Sequence, residues 1–222
     1  GDAREANRPT GPMPPLNGKS LADERWDSWD WLDETGALTA ETIDRGLRVG
    51  PSVTWKGGID AENPAHLEIL LGWQTKYRPR IIIFTPDLSH WAIVEKDGKK
   101  TMVLANATVL DVIERVAARQ EELGNFWLLR AVWRSSIWET PFWTRMQERP
   151  TTIPRNQVTD GCQHGLRDPE SGRPMKSREI LNGSYPLPPS FLRTCQGHGG
   201  QDHQMIKGRL KTGESRSEFV RR

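Results

Sequence analysis

The chain has 222 residues, enough to bury a core without disulfides, yet only 35% are apolar, and 16 Pro with 20 Gly imply a compact centre with long irregular ends. No stretch approaches the roughly 18 apolar residues of a membrane span, and residues 1–18 hold no apolar signal core, so neither membrane insertion nor a cleaved leader is expected. Two cysteines, Cys162 and Cys195, do not make a secreted disulfide scaffold, and the expected location is intracellular, cytoplasmic or nuclear.

In chain order, residues 1–36 read as an N-terminal arm rich in Pro, Gly and Asn, with no fold of its own. The cluster Trp26-Asp-Ser-Trp29-Asp-Trp31 is too acidic to stack on bases and is expected to pack that arm onto the body. Residues 38–47 suit a short helix ending near Gly46 or Gly50, and 51–55 a brief strand. Asn63-Pro64 starts a helix, because Asn caps and Pro suits the first helical position. Leu67, Leu70 and Leu71 then give it an apolar face to about Trp73. Ile81-Ile-Ile-Phe84 is a short apolar run with β-branched residues, the pattern of a strand buried on both faces of a parallel sheet.

Residues 86–105 offer either a small hairpin turning at Asp97-Gly98 or a loop. The strongest helix spans 106–124, with Val109, Val112, Ile113 and Val116 on one face and Gly124 as terminator. A buried strand over 126–132 and a helix over 135–146 follow. Alternating helices and strands over 37–150 predict an α/β core with parallel strands and helices on both faces. Beyond Pro150 the segments are short and rich in Pro, Gly, His and Arg. Residues 151–222 therefore read as a small irregular subdomain or an ill-ordered tail.

The phrases 47–54, 79–91 and 126–138 belong together with Thr159-Asp-Gly-Cys-Gln-His-Gly-Leu-Arg-Asp-Pro-Glu-Ser-Gly172 and Cys195-Gln-Gly-His-Gly-Gly-Gln-Asp-His-Gln-Met-Ile-Lys-Gly208. The series resembles a methyltransferase-like domain of retroelement polyproteins, abundant in dinoflagellate algae, itself similar to cytosine-5 DNA methyltransferases. That resemblance implies a Rossmann-like fold and a Ser-Pro-Pro-Cys nucleophile loop after the buried strand. Thr85-Pro86-Asp87-Leu88 stands in its place, so the attacking cysteine falls on Leu88. The family's Glu-Asn-Pro or Glu-Gln-Pro segment is replaced by Arg130-Ala131-Val132, which exchanges a carboxylate for a cation. A glycine-rich strand-to-helix turn is also missing from the sheet region, so neither methyl transfer nor S-adenosylmethionine binding is expected.

Elsewhere the sequence offers little for catalysis. Ser89-His90 makes no triad, because adjacent side chains of a strand point apart, and His66 reads as a surface or half-buried helix residue. Cys162, His164, Cys195, His198 and His203 gather both cysteines and three of the five histidines into 42 positions. Two Cys and two His complete a tetrahedral zinc shell, and zinc can organise a segment with little apolar content. The resembling domains carry a Cys before Gly-Leu and a later Cys followed by paired His, so the expected ligands are Cys162, Cys195, His198 and His203.

Charge is uneven. Residues 151–222 hold twelve Lys and Arg against seven Asp and Glu, a net +5, whereas residues 1–150 carry −3. A basic last third suits DNA or RNA phosphate, with Arg167, Arg173, Lys176, Arg178, Arg193, Lys207, Arg209 and Lys211 as candidate contacts. A solvated surface without a nucleic-acid partner is the competing reading. The sequence thus predicts a catalytically inactive, methyltransferase-like binding or structural module. Its rivals are an active methyltransferase with atypical residues and a scaffold that binds only proteins.

Overall fold

The structure, a computed structural model, describes residues 25–33, 35–86, 91–96, 99–104, 108–200, 202–204 and 210–211. Its first strand, β1 (Ser28–Trp31), lies inside the segment expected to be an arm. Trp29 and Trp31 are fully buried, and Trp26 almost so. Trp29 meets Trp26 and Trp31 edge to face, each at 5.0 Å, and Trp26 stacks on Tyr77 at 4.4 Å. Three indoles within six residues offer more apolar area than a surface attachment can cover, so this segment enters the sheet and becomes core.

Helix α1 (Ala37–Asp44) ends before Gly46, whose φ of 73° suits glycine. The brief strand expected over 51–55 is reduced to isolated parallel bridges from Val49 to Ser28 and from Val53 to Trp31. Helix α2 (Pro64–Tyr77) starts as its sequence predicts: the Asn63 side chain accepts from the Ala65 N–H at 2.9 Å, and Pro64 opens the first turn. It runs one turn beyond the expected end.

The apolar run Ile81–Phe84 is β2, an interior strand parallel to both β1 and β5 (Phe126–Val132). Between them, β3 (Trp91–Lys96) and β4 (Lys99–Leu104) form an antiparallel pair, a separate two-stranded sheet; the turn expected at residues 97–98 lies outside the described residues. Helix α3 (Thr108–Glu122) buries Val112, Ile113 and Val116 and stops before Gly124, at φ 68°. The helix expected over 135–146 is split. A 3-10 turn at Ser136–Glu139 precedes α4 (Pro141–Gln147). Pro141 disfavours helical geometry at Thr140, which sits extended at φ −84°, ψ 153°, and its hydroxyl caps the Trp143 N–H at 3.2 Å.

The last third departs most from expectation. β6 (Val158–Asp160) and β7 (Arg178–Gly183) join the main sheet, in the order β1-β2-β5-β7-β6. β7 is antiparallel to β5 and to β6. The protein is therefore α/β with a mixed sheet, not an all-parallel one, and the 151–222 segment contributes two of its strands. Antiparallel neighbours need no crossover helix, and only a single 3-10 turn stands between β6 and β7.

Alternation sorts the strand residues onto two faces. Trp29, Trp31, Ile82, Phe84, Trp127, Leu129 and Ala131 share the core with buried residues of α2, α3 and α4. Asp30, Ile83, Thr85, Leu128 and Arg130 take the other face, where Thr39 of α1 donates to Asp30 Oδ2 at 3.3 Å. Among the described residues no helix is long and apolar enough to cross a membrane.

Two tests follow from this packing. A Cβ on Gly183 would lie 2.2 Å from the Trp127 carbonyl oxygen. Gly183→Ala must push β7 away from β5, and urea denaturation should show a loss of about 1–3 kcal/mol. An unchanged midpoint would mean the strands do not approach so closely. Asp30 is 4% exposed and its Oδ1 has no hydrogen-bond partner. Burial, then the neighbouring Asp33, pushes its carboxyl up to about 7, against the opposing pulls of Thr39 and Arg130. A folded pKa above the unfolded value means folding favours the protonated form. This contribution is fully present below about pH 4 and declines as pH rises towards 7, by at most about 4 kcal/mol. The stability of Asp30→Asn relative to the parent should therefore grow between pH 4.5 and 7.5; a pH-independent difference would refute the assignment.

Candidate metal centre

The site is built at the edge of the sheet. β6 ends at Asp160, and a 3-10 turn, Gly161–His164, follows at once and places Cys162. Gly161 is tightly enclosed: a Cβ there would lie 2.8 Å from the Leu166 side chain. The second half of the cluster comes from the irregular segment after Phe191. Asp160 clamps that segment from both ends of its own residue. Its N–H donates to the Arg193 carbonyl at 2.9 Å, and its Oδ2 accepts from the Cys195 N–H at 2.7 Å.

Cys162, Cys195, His198 and His203 converge, with one ligand atom from each lying within 4.8 Å of all the others. Cys195 Sγ is 3.3 Å from His198 Nε2 and 3.4 Å from His203 Nε2, and the two imidazoles sit 5.0 Å apart. Metal–sulfur and metal–nitrogen bonds of about 2.3 and 2.0 Å in a tetrahedron put neighbouring ligand atoms roughly 3.3–3.8 Å apart. The two Cys195–imidazole separations fit that spacing, and these four residues could hold a metal ion. They are the four that the sequence singles out. His164, the fifth candidate, is turned elsewhere: its Nε2 lies 2.7 Å from the Thr159 hydroxyl and 3.0 Å from the Phe191 carbonyl.

The two sulfurs are not equivalent. Burial, and then the adjacent Cys195, pushes the Cys162 thiol up to about 11. The Gly197 N–H, 3.3 Å from Cys195 Sγ, holds that thiol below its ordinary value. Burial, followed by the neighbouring His198, lowers the His203 imidazole, which favours its neutral, ligating form. A metal entering here must displace at least the Cys162 proton, so its affinity falls with acid.

Asp160 itself carries no sequence signal beyond standing two residues before a cysteine. It is fully buried and makes a bidentate pair with Arg178, at 2.9 and 2.8 Å. Burial alone would raise its carboxyl, but Arg178 and the Cys195 N–H outweigh that and hold it below the ordinary range. Arg178 is thus committed to a structural pair and is not the freely available phosphate contact that the sequence suggests. Arg167, Arg173, Lys176 and Arg193 are exposed, Arg167 also donating to the Gly172 carbonyl at 3.0 Å. Lys211 is exposed and its N–H donates to Glu170. Lys207 and Arg209 lie outside the described residues, as do Leu88 and His90.

Arg130, the cation that stands where the resembling family has a carboxylate, is paired with Glu179 of β7 at 2.8 and 2.9 Å, which matches its charge. His66, expected at or near the surface, is 2% exposed and its Nδ1 accepts from the Asp60 N–H at 3.1 Å. Compared with protein-family models and with curated proteins, the sequence matches none of them.

Elemental analysis should find about one transition-metal ion per chain, and chelation should lower the thermal midpoint. Cys195→Ala should abolish both the bound metal and the chelator response. Metal-free protein whose melting ignores chelator would overturn the site.

Proposed function

We propose that this protein is a catalytically inactive, zinc-braced module of methyltransferase-like descent that binds nucleic acid weakly and without sequence preference. The observation that carries the reading is the four-residue cluster at the sheet edge. Its donor set, two thiolates and two imidazoles, suits zinc, which accepts tetrahedral nitrogen and sulfur ligation. Four protein ligands complete that shell and leave no open position for a reacting water, so the metal's contribution is structural. It would tie the 159–166 segment to residues 195–203, where the chain has few apolar residues to do so.

Inactivity as a methyltransferase is supported by where the cysteines go. The chain has two, and both belong to the cluster. No thiol remains for a nucleophile loop after β2, and the thiolate is the species that adds to a pyrimidine ring. Arg130, at the place where the resembling family has a carboxylate, is occupied by Glu179. The parallel order of β1, β2 and β5 is compatible with Rossmann-like descent, while β7 and β6 extend the sheet in antiparallel fashion.

Nucleic-acid binding is supported by Arg167, Arg173, Lys176 and Arg193, exposed cations on the segments that surround the cluster. Two thiolates neutralise a bound zinc ion, so the metal centre does not cancel their charge. Contacts of this kind position phosphate and read no bases.

Calorimetry with S-adenosylmethionine should detect no binding; micromolar affinity would restore the enzyme reading. In electrophoretic titrations at low salt, the zinc-loaded protein should shift DNA of any sequence, with affinity falling steeply as salt rises. Lys176→Glu combined with Arg193→Glu should weaken all sequences alike and flatten the salt slope by about two phosphates' worth. No shift at tens of micromolar protein would leave a module that contacts proteins alone.

A further inference from the structure

We infer that the partner of the surface beside the metal centre is single-stranded nucleic acid, lying across the ends of β5, β7 and β6 with one base stacked on Trp133. This inference rests on the nucleic-acid reading above and adds the strand form and the track.

Trp133 is the starting point. Trp26, Trp29, Trp31, Trp127 and Trp143 are at most 3% exposed, whereas Trp133 is 42% exposed, immediately after β5. Its position is also fixed. The Trp133 backbone N–H donates to the Arg178 carbonyl at 2.9 Å, and the Arg178 guanidinium lies over the ring, 5.6 Å from its centroid. Arg178 is fixed in turn by its two bonds to buried Asp160. An aromatic fixed in this way loses little conformational freedom when a ring stacks on it.

The residues beyond Trp133 form a row. Trp133 adjoins Arg178, Arg178 is paired across the sheet with Asp160, and Asp160 is bonded to Arg193. At about 4.8 Å per strand the row extends roughly 14 Å, enough for a short run of extended nucleotides. Along it stand three exposed cations, Arg134 next to the indole, Lys176 just before β7, and Arg193 at the far end. None of them forms an ion pair with a described residue. Phe191, 38% exposed and tilted against His164 at 5.1 Å between ring centroids, adds a second aromatic at that far end.

A cationic track interleaved with aromatic rings is the chemistry of single-strand binding, because each base offers a π-face and the phosphates follow the cations. Duplex bases are already stacked on one another and cannot reach an indole. The track also borders the metal centre through Asp160, which bonds Arg178 on one side and Cys195 on the other. Metal binding therefore supports the far half of the track.

The test uses the zinc-loaded full chain and fluorescence anisotropy with a labelled dodecathymidine strand and with a hairpin duplex. The single strand should bind more tightly. Trp133→Ala should weaken it at least about five-fold, Trp133→Phe should retain most of the affinity, and duplex binding should not change with either. On the unmodified protein, irradiation with a 5-bromouracil strand should cross-link the peptide that carries Trp133, whatever the variants' stability. Equal affinity for strand and duplex, indifference to Trp133→Ala, or cross-links confined to other peptides would each overturn the track while leaving nucleic-acid binding intact. Failure of both probes to bind would overturn the track together with the reading beneath it.

Discussion

A buried carboxylate organises the last third of the protein. Asp160 has no exposed surface, yet it stays ionised because Arg178 meets it with two hydrogen bonds and the Cys195 N–H supplies a third. The pair joins β6 to β7, and β7 joins β5, so Asp160 ties the irregular segment that bears three of the four ligands to the main sheet, with Thr159 and His164 holding it at the Phe191 carbonyl. Removing one partner of such a buried pair leaves an uncompensated charge, which costs about 3–5 kcal/mol in general. A metal ion held by the four-residue cluster would be the second of two braces. Asp160 sets where Cys195 stands, and a metal ion would then draw His198 and His203 to it.

On the opposite face of the sheet, too, most polar groups are answered from within the chain. In open α/β sheets, ligands bind beyond the carboxyl ends of parallel strands. Here Arg130, near the end of β5, spends its guanidinium on Glu179, and Asp33, just past β1, accepts from both the N–H and the hydroxyl of Thr35. Asp30 is the exception, a buried carboxyl with one unpartnered oxygen, and its burial disfavours the charged form that a general base would use.

The metal ligands were legible in the sequence because chemistry restricts them to a few residue types, and the chain concentrates those types in one stretch. The helix starts at Asn63 and the stops at Gly46 and Gly124 were legible for a related reason, since capping and positive φ are local requirements. Sheet membership was not local. Trp29 and Trp31 sit in an acidic, Pro-flanked segment whose pattern resembles a tether, and only the receptive edge of β2 shows them to be a strand. β7 has the sequence Arg-Glu-Ile-Leu-Asn-Gly, and it opens on two charged residues because Arg178 and Glu179 are answered by Asp160 and Arg130 across the sheet. An ion pair between distant residues leaves no periodic trace. His66 escaped notice in the same way, as its partner is a backbone N–H six residues upstream.

Both edges of the main sheet pose the same physical problem, since an open strand offers unpaired N–H and carbonyl groups to other chains. The two solutions differ according to the material at hand. Beside β1 the 48–53 segment runs alongside and closes the edge with backbone bonds, among them Asp27 N–H to the Arg48 carbonyl at 2.8 Å and Leu32 N–H to the Val53 carbonyl at 2.9 Å. Gly50 fits there because a Cβ would strike Trp26 and Trp29 at 2.5–2.6 Å. That edge is sealed by apolar packing. Beside β6 the covering segment is Phe-Leu-Arg-Thr-Cys, residues 191–195, in which Phe191 is exposed and Leu192 only half-buried. There the closure is polar, from the Asp160 N–H to Arg193 and from Cys195 back to Asp160, and the ligand cluster forms where that closure would otherwise fray. A tryptophan cluster at one sheet edge answers this constraint with the hydrophobic effect, and at the other a cluster that could hold a metal ion stands beside a polar closure.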